Sequence, residues 1–349
     1  MLGWITTWNE QCGIAVHSHN ILHHLEPDYI VLAPENITKI KEDEGFVHRC
    51  WNKKSGDFTE LISTVIKEDI DVVMIQHHPG FMLFGHLNIL IRKLVENRVT
   101  VSLILHNTKE RPLIYRINRV DKAVNGMRLC KNVIVHQKGD VSRLKEIGVE
   151  GNVELLPHGV YPPPANRDTM KIPEGRVLGT FGFMLRHKGF PELIRAFSSV
   201  KNWDYLVMLC SVREDSQDAL IECKEEIERL GLGDKVILNT EFLNQEYAIS
   251  TLSKLGLIVF PYQNTKESAS GAVRMAVAAG TAIAVTPLEI FDDVEGAIVL
   301  QGMTDDDIAT SLESLNDRDL GESQKRIIRM RDANQWNSVT SRIVDLLSL

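Results

Sequence analysis

Short apolar runs alternate with amphipathic segments along nearly the whole chain, and few folds accommodate that alternation. In the first half, Leu2–Thr7, Tyr29–Ala33, Val72–Gln76, Val99–Leu105 and Val133–His136 predict strands. Gly13–Leu25, Phe58–Glu68, Met82–Glu96, Ile114–Leu129 and Gly139–Ile147 predict the helices between them. Strand then helix, repeated, is the pattern of a parallel sheet covered on both faces. The period breaks at Tyr161–Pro164, where YPPP and the residues to Lys171 predict a linker. Beyond it the alternation resumes, with strands at Val177–Gly182, Tyr205–Cys210, Lys235–Asn239, Leu257–Phe260, Ala282–Val285 and Ala297–Leu300. Helices are predicted at Phe190–Val200, Asp215–Leu230, Gln245–Leu255, Ser270–Ala279, Asp306–Leu315, Glu322–Asp332 and Asn337–Leu347. The expected fold class is therefore α/β, with two doubly wound parallel-sheet domains facing each other and a ligand in the cleft at the strands' carboxyl ends.

At 349 residues, two cores are expected rather than one. A net charge of −8 argues against a nucleic-acid partner. The five cysteines show no paired spacing and read as reduced thiols of a cytoplasmic protein. No leader and no bilayer-spanning apolar run is visible.

Four stretches bear chemistry. In ESASGAVRMAVAAG, Glu267–Gly280, a helix starts near Ser268 or Ser270 and ends at Gly280. Small residues at its start, Gly271 among them, let a ligand approach backbone N–H groups that attract phosphate. Glu267, just before it, is placed to accept hydrogen bonds from hydroxyls on whatever the phosphate carries, which suggests a sugar nucleotide. Ser270 and Arg274 share a face of this helix, although Arg274 also reads as an exposed helix cation. In GTFGFMLRHKGF, Arg186 and Lys188 stand at the carboxyl end of a buried strand, where cations suit a departing diphosphate. The alternative is a solvated basic loop. Gly13 turns strand 1 into helix 1, serving either a ligand's approach or only a tight turn. His106 ends the strand in LILHN, where substrate-touching groups collect, or is satisfied by backbone.

No metal is expected. Asp69-Ile70-Asp71 precedes a strand and so lies at the wrong end of the sheet, and His19 and His23 lack a third ligand. Asp305–Asp307 reads as a helix cap. Seven cations between Lys109 and Lys131, against Glu110 and Asp121, suit either a solvated helix face or peripheral contact with anionic lipid.

Taken together, these residues resemble the retaining glycosyltransferases of family 4, which have the GT-B fold of two Rossmann-like domains. Glu267, Ala276, Ala278 and Gly280 fall at the spacing of the family's C-terminal signature. Lys188-Gly189 with Ala196-Phe197 matches its phosphate loop and following helix. Gly13, His106, the run from Val133 through LLPHGV to Val160, and Trp336 match further positions. The resemblance implies domains at 1–164 and 165–333, with 334–349 crossing back to the first. It implies a sugar moved, with retention and without a metal or other cofactor, from a nucleoside-diphosphate sugar to a saccharide or lipid-linked acceptor in cell-surface glycan synthesis. Glu267 would bind the donor sugar. Lys188, Arg186 and the Ser270–Gly271 helix start would meet the diphosphate, and His106 and Gly13 would line the sugar side. Two departures stand out: Met275 where the family has a second glutamate, and Phe183 where it has an arginine. They suggest one rival reading, a non-catalytic sugar-nucleotide-binding or regulatory subunit of a transferase pair. A second rival, a nucleotide-sugar 2-epimerase on the same fold, would take its acid–base groups from His106 and the His77-His78 pair.

Overall fold

A computed structural model describes residues 1–10, 12–25, 28–108, 118–164, 168–213, 216–265 and 270–348. Its described residues divide into two compact units, residues 1–159 with 336–348, and residues 160–265 with 270–335.

The first unit is a sheet of seven described strands: β1 (Leu2–Ile5), β2 (Tyr29–Pro34), β3 (Val47–Trp51), β4 (Val72–His77), β5 (Thr100–Leu105), β6 (Asn132–Val135) and β7 (Val153–Leu155). Their order is β3-β2-β1-β4-β5-β6-β7, and every neighbouring pair is parallel. The crossovers are α1 (Gly13–Leu22), α2 (Thr59–Lys67), α3 (Phe84–Glu96), the short α4 (Val124–Met127) and α5 (Lys138–Glu146). α3 shows why such segments become helices here. Leu87, Leu90, Ile91 and Leu94 recur at helical spacing and are fully buried against the sheet.

β3 and β7 escaped the sequence reading because they are edge strands. VHRCW and VEL keep most side chains half-buried or exposed, so neither presents an apolar run. The helix expected over Ile114–Leu129 is broken: in its described part a 3-10 turn, Val120–Ala123, precedes α4, and residues 114–117 lie outside the described residues.

The terminal helix Trp336–Leu347 packs in this unit. Thr340 donates to the Ile21 carbonyl at 3.3 Å, and Asn132 Nδ2 donates to the Leu346 carbonyl at 2.8 Å. Gly159 lies so close to the Trp336 ring that a β-carbon there would come within 2.3 Å of it.

The second unit repeats the design with β8 (Val177–Phe183), β9 (Tyr205–Ser211), β10 (Val236–Asn239), β11 (Leu257–Phe260), β12 (Ile283–Val285) and β13 (Ile298–Val299). The order of these six described strands is β10-β9-β8-β11-β12-β13, again parallel throughout. Its helices are α6 (Phe190–Ser199), α7 (Gln217–Arg229), α8 (Gln245–Leu252), α9 (Gly271–Ala279), α10 (Asp305–Ser314) and α11 (Asp317–Ala333). Two apolar clusters fill its core, one around Leu193, Phe197 and Met208, the other around Phe260, Tyr262 and Val277. Among the described residues no helix is long and apolar enough to cross a membrane.

Phe190 opens α6 and is completely buried. Phe190→Ala should cost about 3–5 kcal/mol of folding stability, read as a lowered urea midpoint with an unchanged slope. A loss below about 1 kcal/mol would show that α6 is not anchored by this ring.

Candidate functional site

Each sheet reverses its strand order once, β1 beside β4 in the first unit and β8 beside β11 in the second. Loops leaving such a neighbouring pair diverge, and this is where open α/β sheets bind ligands. Gly13 follows β1, Arg186 and Lys188 follow β8, and Ser270, Gly271 and Arg274 follow β11, whereas His106 follows the adjacent β5.

In the second unit, β8 is followed by one 3-10 turn, Arg186–Lys188, and then by Gly189, which starts α6 with φ 72°. A β-carbon at Gly189 would sit 1.8 Å from the Pro261 carbonyl oxygen, so only glycine lets the loops after β8 and β11 touch. They are joined there, since Gln263 N donates to the His187 carbonyl at 2.8 Å. The result is a buried lysine: Lys188 is 6% exposed, its Nζ 4.0 Å from the centre of the Tyr262 ring. Tyr262 is itself fully buried, and its hydroxyl shares a hydrogen bond of 2.8 Å with Ser270 Oγ. Ser270 is the N-cap of α9 and accepts from Val273 N at 3.4 Å. Lys188, Tyr262, Ser270 and the start of α9 thus form one connected group. Gly271, the first residue of α9, is exposed, with nothing within 4 Å of where a β-carbon would stand.

The small-residue character of α9 has two causes. Ala276 and Ala278 are fully buried, so their size serves close packing of helix on sheet, whereas Gly271 leaves open space at the helix start. Gly280 ends the helix at φ 70°, as read from sequence.

Arg186 and Arg274 have partners the sequence did not reveal. Arg186 lays its guanidinium fork on Glu192, at 2.8 and 3.1 Å, and reaches Glu222 at 3.1 Å. Arg274 is not an exposed helix cation: it is 3% exposed and ion-paired with Asp293. Met275 is half-buried against the cluster that includes Tyr262. Phe183 ends β8 exposed, its ring 6.1 Å from that of Phe242 and nearly parallel to it, with the Arg213 guanidinium carbon 5.4 Å from its ring centre. Glu267 lies outside the described residues.

In the first unit, Gly13 is the first residue of α1, again with nothing within 4 Å of an added β-carbon. No tight turn demands glycine there, so the open space is the feature that remains. His106 follows β5 and is hydrogen-bonded through Nε2 to Gln76 Oε1 on β4. Around it stand His17 of α1, His136 after β6 and His158 after β7, with ring centres 4.7 to 5.5 Å apart in successive pairs, and Trp336 beside His17 at 5.2 Å. One nitrogen from each of His17, His106 and His136 lies within 4.8 Å of the other two. Burial, reinforced by the neighbouring imidazoles, holds His17 and His106 well below the ordinary histidine value, so both are neutral near pH 7.

Asp69 and Asp71 precede β4, at the amino end of its sheet as expected. In the basic stretch, Arg119 pairs with Asp121, Arg128 donates to the Gly148 carbonyl, and Lys131 donates to Leu347 O and Ser348 Oγ. Lys109, Arg111 and Arg116 lie outside the described residues.

No family model matches the chain, and no curated protein matches its sequence. Solved structures do match it. Anabaena HepE in complex with UDP aligns over 99% of both chains, at 14% identity and a TM-score of 0.76. A glycosyltransferase from Rickettsia africae aligns over 99% of this chain and 97% of its own, at 13% and 0.74. A UDP-forming α,α-trehalose-phosphate synthase from Burkholderia xenovorans, in complex with glucose-6-phosphate, aligns over all of both chains at 10% and 0.73. The two parallel-sheet units are those of the GT-B fold.

Two outcomes are expected from this geometry. Gly189→Ala should destabilise the protein by at least about 1–3 kcal/mol, because the left-handed backbone and the Pro261 carbonyl both oppose a β-carbon; calorimetric unfolding checks it. His77, whose Nε2 donates to the Met82 carbonyl at 2.8 Å, is pushed by burial to about 3. The unfolded chain takes up this proton more readily, so the ring's contribution is complete above the unfolded value of 6.5 and is lost as the pH falls towards about 3. The unfolding free energy from urea titration should drop between about pH 7 and pH 5, by up to about 1.4 kcal/mol per pH unit from this ring, and His77→Gln should flatten the drop.

Proposed function

We propose that the chain is a glycosyltransferase that moves a sugar from a nucleoside-diphosphate donor to a saccharide or lipid-linked acceptor with retention of configuration. The observation that carries this reading is the buried Lys188 ammonium, linked through Tyr262 to the Ser270–Gly271 start of α9. A diphosphate gains charge as it leaves. A fixed ammonium and the unsatisfied N–H groups of a helix start stabilise that charge without reorganising. Among the structural neighbours, HepE binds UDP and UDP-glucose, and the Burkholderia enzyme is UDP-forming, which supports UDP as the first donor nucleotide to try.

In this reading Glu267 holds donor-sugar hydroxyls, and His106 and Gly13 contact the sugars. Arg186, engaged by Glu192 and Glu222, positions its turn rather than meeting the diphosphate directly. Arg274 acts in the same indirect way, through Asp293, on the loop beside α9. The diphosphate needs no metal. A cytoplasmic place in cell-surface glycan synthesis suits such an enzyme, with any membrane contact peripheral. Phe183 and Met275 favour a second reading, a subunit that binds a sugar nucleotide without turning it over.

Titration calorimetry with UDP, GDP, ADP and CMP separates these outcomes. One nucleotide should bind, and Lys188→Ala should weaken it. With the matching sugar nucleotide, the same substitution should cost roughly 2–4 kcal/mol of transition-state stabilisation, about a hundred- to a thousandfold in kcat. Binding without turnover would support the non-catalytic reading. Turnover unchanged by Lys188→Ala would refute the assignment of the diphosphate site.

A further inference from the structure

His17 poses a problem of its own. It is 2% exposed, and neither Nδ1 nor Nε2 has a hydrogen-bond partner. A neutral imidazole carries one N–H and one lone pair, and burying both without partners is costly. The ring stands among other imidazoles, at 4.7 Å from His106, 5.4 Å from His136 and 4.9 Å from His158 between centres. Two of these rings are braced from behind. His106 uses Nε2 on Gln76 Oε1, and His136 donates Nδ1–H to the Leu156 carbonyl at 2.9 Å. Metal-binding histidines are held in this way, one nitrogen on an amide or carbonyl oxygen and the other turned to the ion.

We propose that His17, His106 and His136 form a binding site for a divalent transition-metal ion of the zinc and cobalt class. Their ligand nitrogens already lie within 4.8 Å of one another. Metal–nitrogen bonds of about 2.0–2.1 Å in tetrahedral geometry space the nitrogens at roughly 3.4 Å, so ring rotations of about an ångström close the site. An all-imidazole donor set selects zinc, cobalt, nickel or copper over magnesium and calcium, which require oxygen. Burial keeps His17 and His106 in the neutral, metal-binding form. His158 or a water takes the fourth position. The ion would tie α1 to the ends of β5 and β6 and fix the orientation of His106. The site shares His106 with the proposed sugar contacts but takes His17 and His136 from outside them, so metal binding is read independently of sugar transfer.

Chelator-treated full-length protein titrated with Co2+ tests this. About one equivalent should bind with the visible bands of a four- or five-coordinate cobalt–imidazole centre, and Zn2+ should displace it. His17→Gln and His136→Gln should each weaken binding at least roughly tenfold, with circular dichroism confirming their fold. X-ray absorption on the Zn2+-loaded wild type counts ligands without any substitution, and three or four imidazoles are expected. A wild type with no saturable cobalt spectrum, a spectrum that both variants retain, or a shell with fewer than three imidazoles would overturn the proposal.

Discussion

A parallel sheet covered on both faces leaves polar side chains almost nowhere to go except the ends of its strands. β4, β5, β8 and β11 are buried along nearly their full length. Their ladders consume the backbone donors and acceptors, and helices such as α3 and α6 seal the faces. Chemistry therefore collects where the strands stop. Gln76 and His77 close β4, His106 follows β5, His136 follows β6, and Lys188 and Tyr262 follow β8 and β11. In each unit the strand order reverses once, and in the second unit the loops after the reversing pair are joined by the Gln263 N–H and the His187 carbonyl. The close contact of Gly189 with the Pro261 carbonyl then sets how near Lys188 comes to Tyr262.

The alternation of strands and helices was legible because burial on both faces demands uninterrupted apolar runs. β3 and β7 were illegible for the converse reason, since an edge strand such as VHRCW can stay polar. Lys188-Gly189 and the Ser270 cap were also readable, one from its place after a buried strand and the other from local capping chemistry. The partners of Arg186 and Arg274 were not. A cation is visible in a sequence, but the carboxylate that meets it, Glu192 and Glu222 in one case and Asp293 in the other, is set by tertiary packing.

The histidine cluster shows the same limit more sharply. His19 and His23 have the i, i+4 spacing that suggests a metal pair, yet the rings that gather are His17, His106, His136 and His158. They come from four separate stretches, and no spacing rule links them. What they share is a position just past a strand or on the helix that leaves one. Each is individually unremarkable as a strand-end residue; parallel register makes them neighbours by bringing the ends of β5, β6 and β7 to one edge.

Small residues on α9 illustrate how one sequence signal can hold two physical meanings. Read along the sequence, Ala269 to Ala279 is a single stripe that favours close approach. Ala276 and Ala278 spend that freedom on the sheet beneath them, where a larger side chain would lift the helix off Phe260 and Tyr262. Gly271 alone combines exposure with open space at the helix start. Packing and ligand approach are therefore coupled. The alanines hold α9 down so that Ser270 reaches the Tyr262 hydroxyl, and that hydrogen bond aims the first turn at the end of β11, where Lys188 already lies. Enlarging a buried alanine would disturb the same group as removing the lysine, through geometry rather than charge.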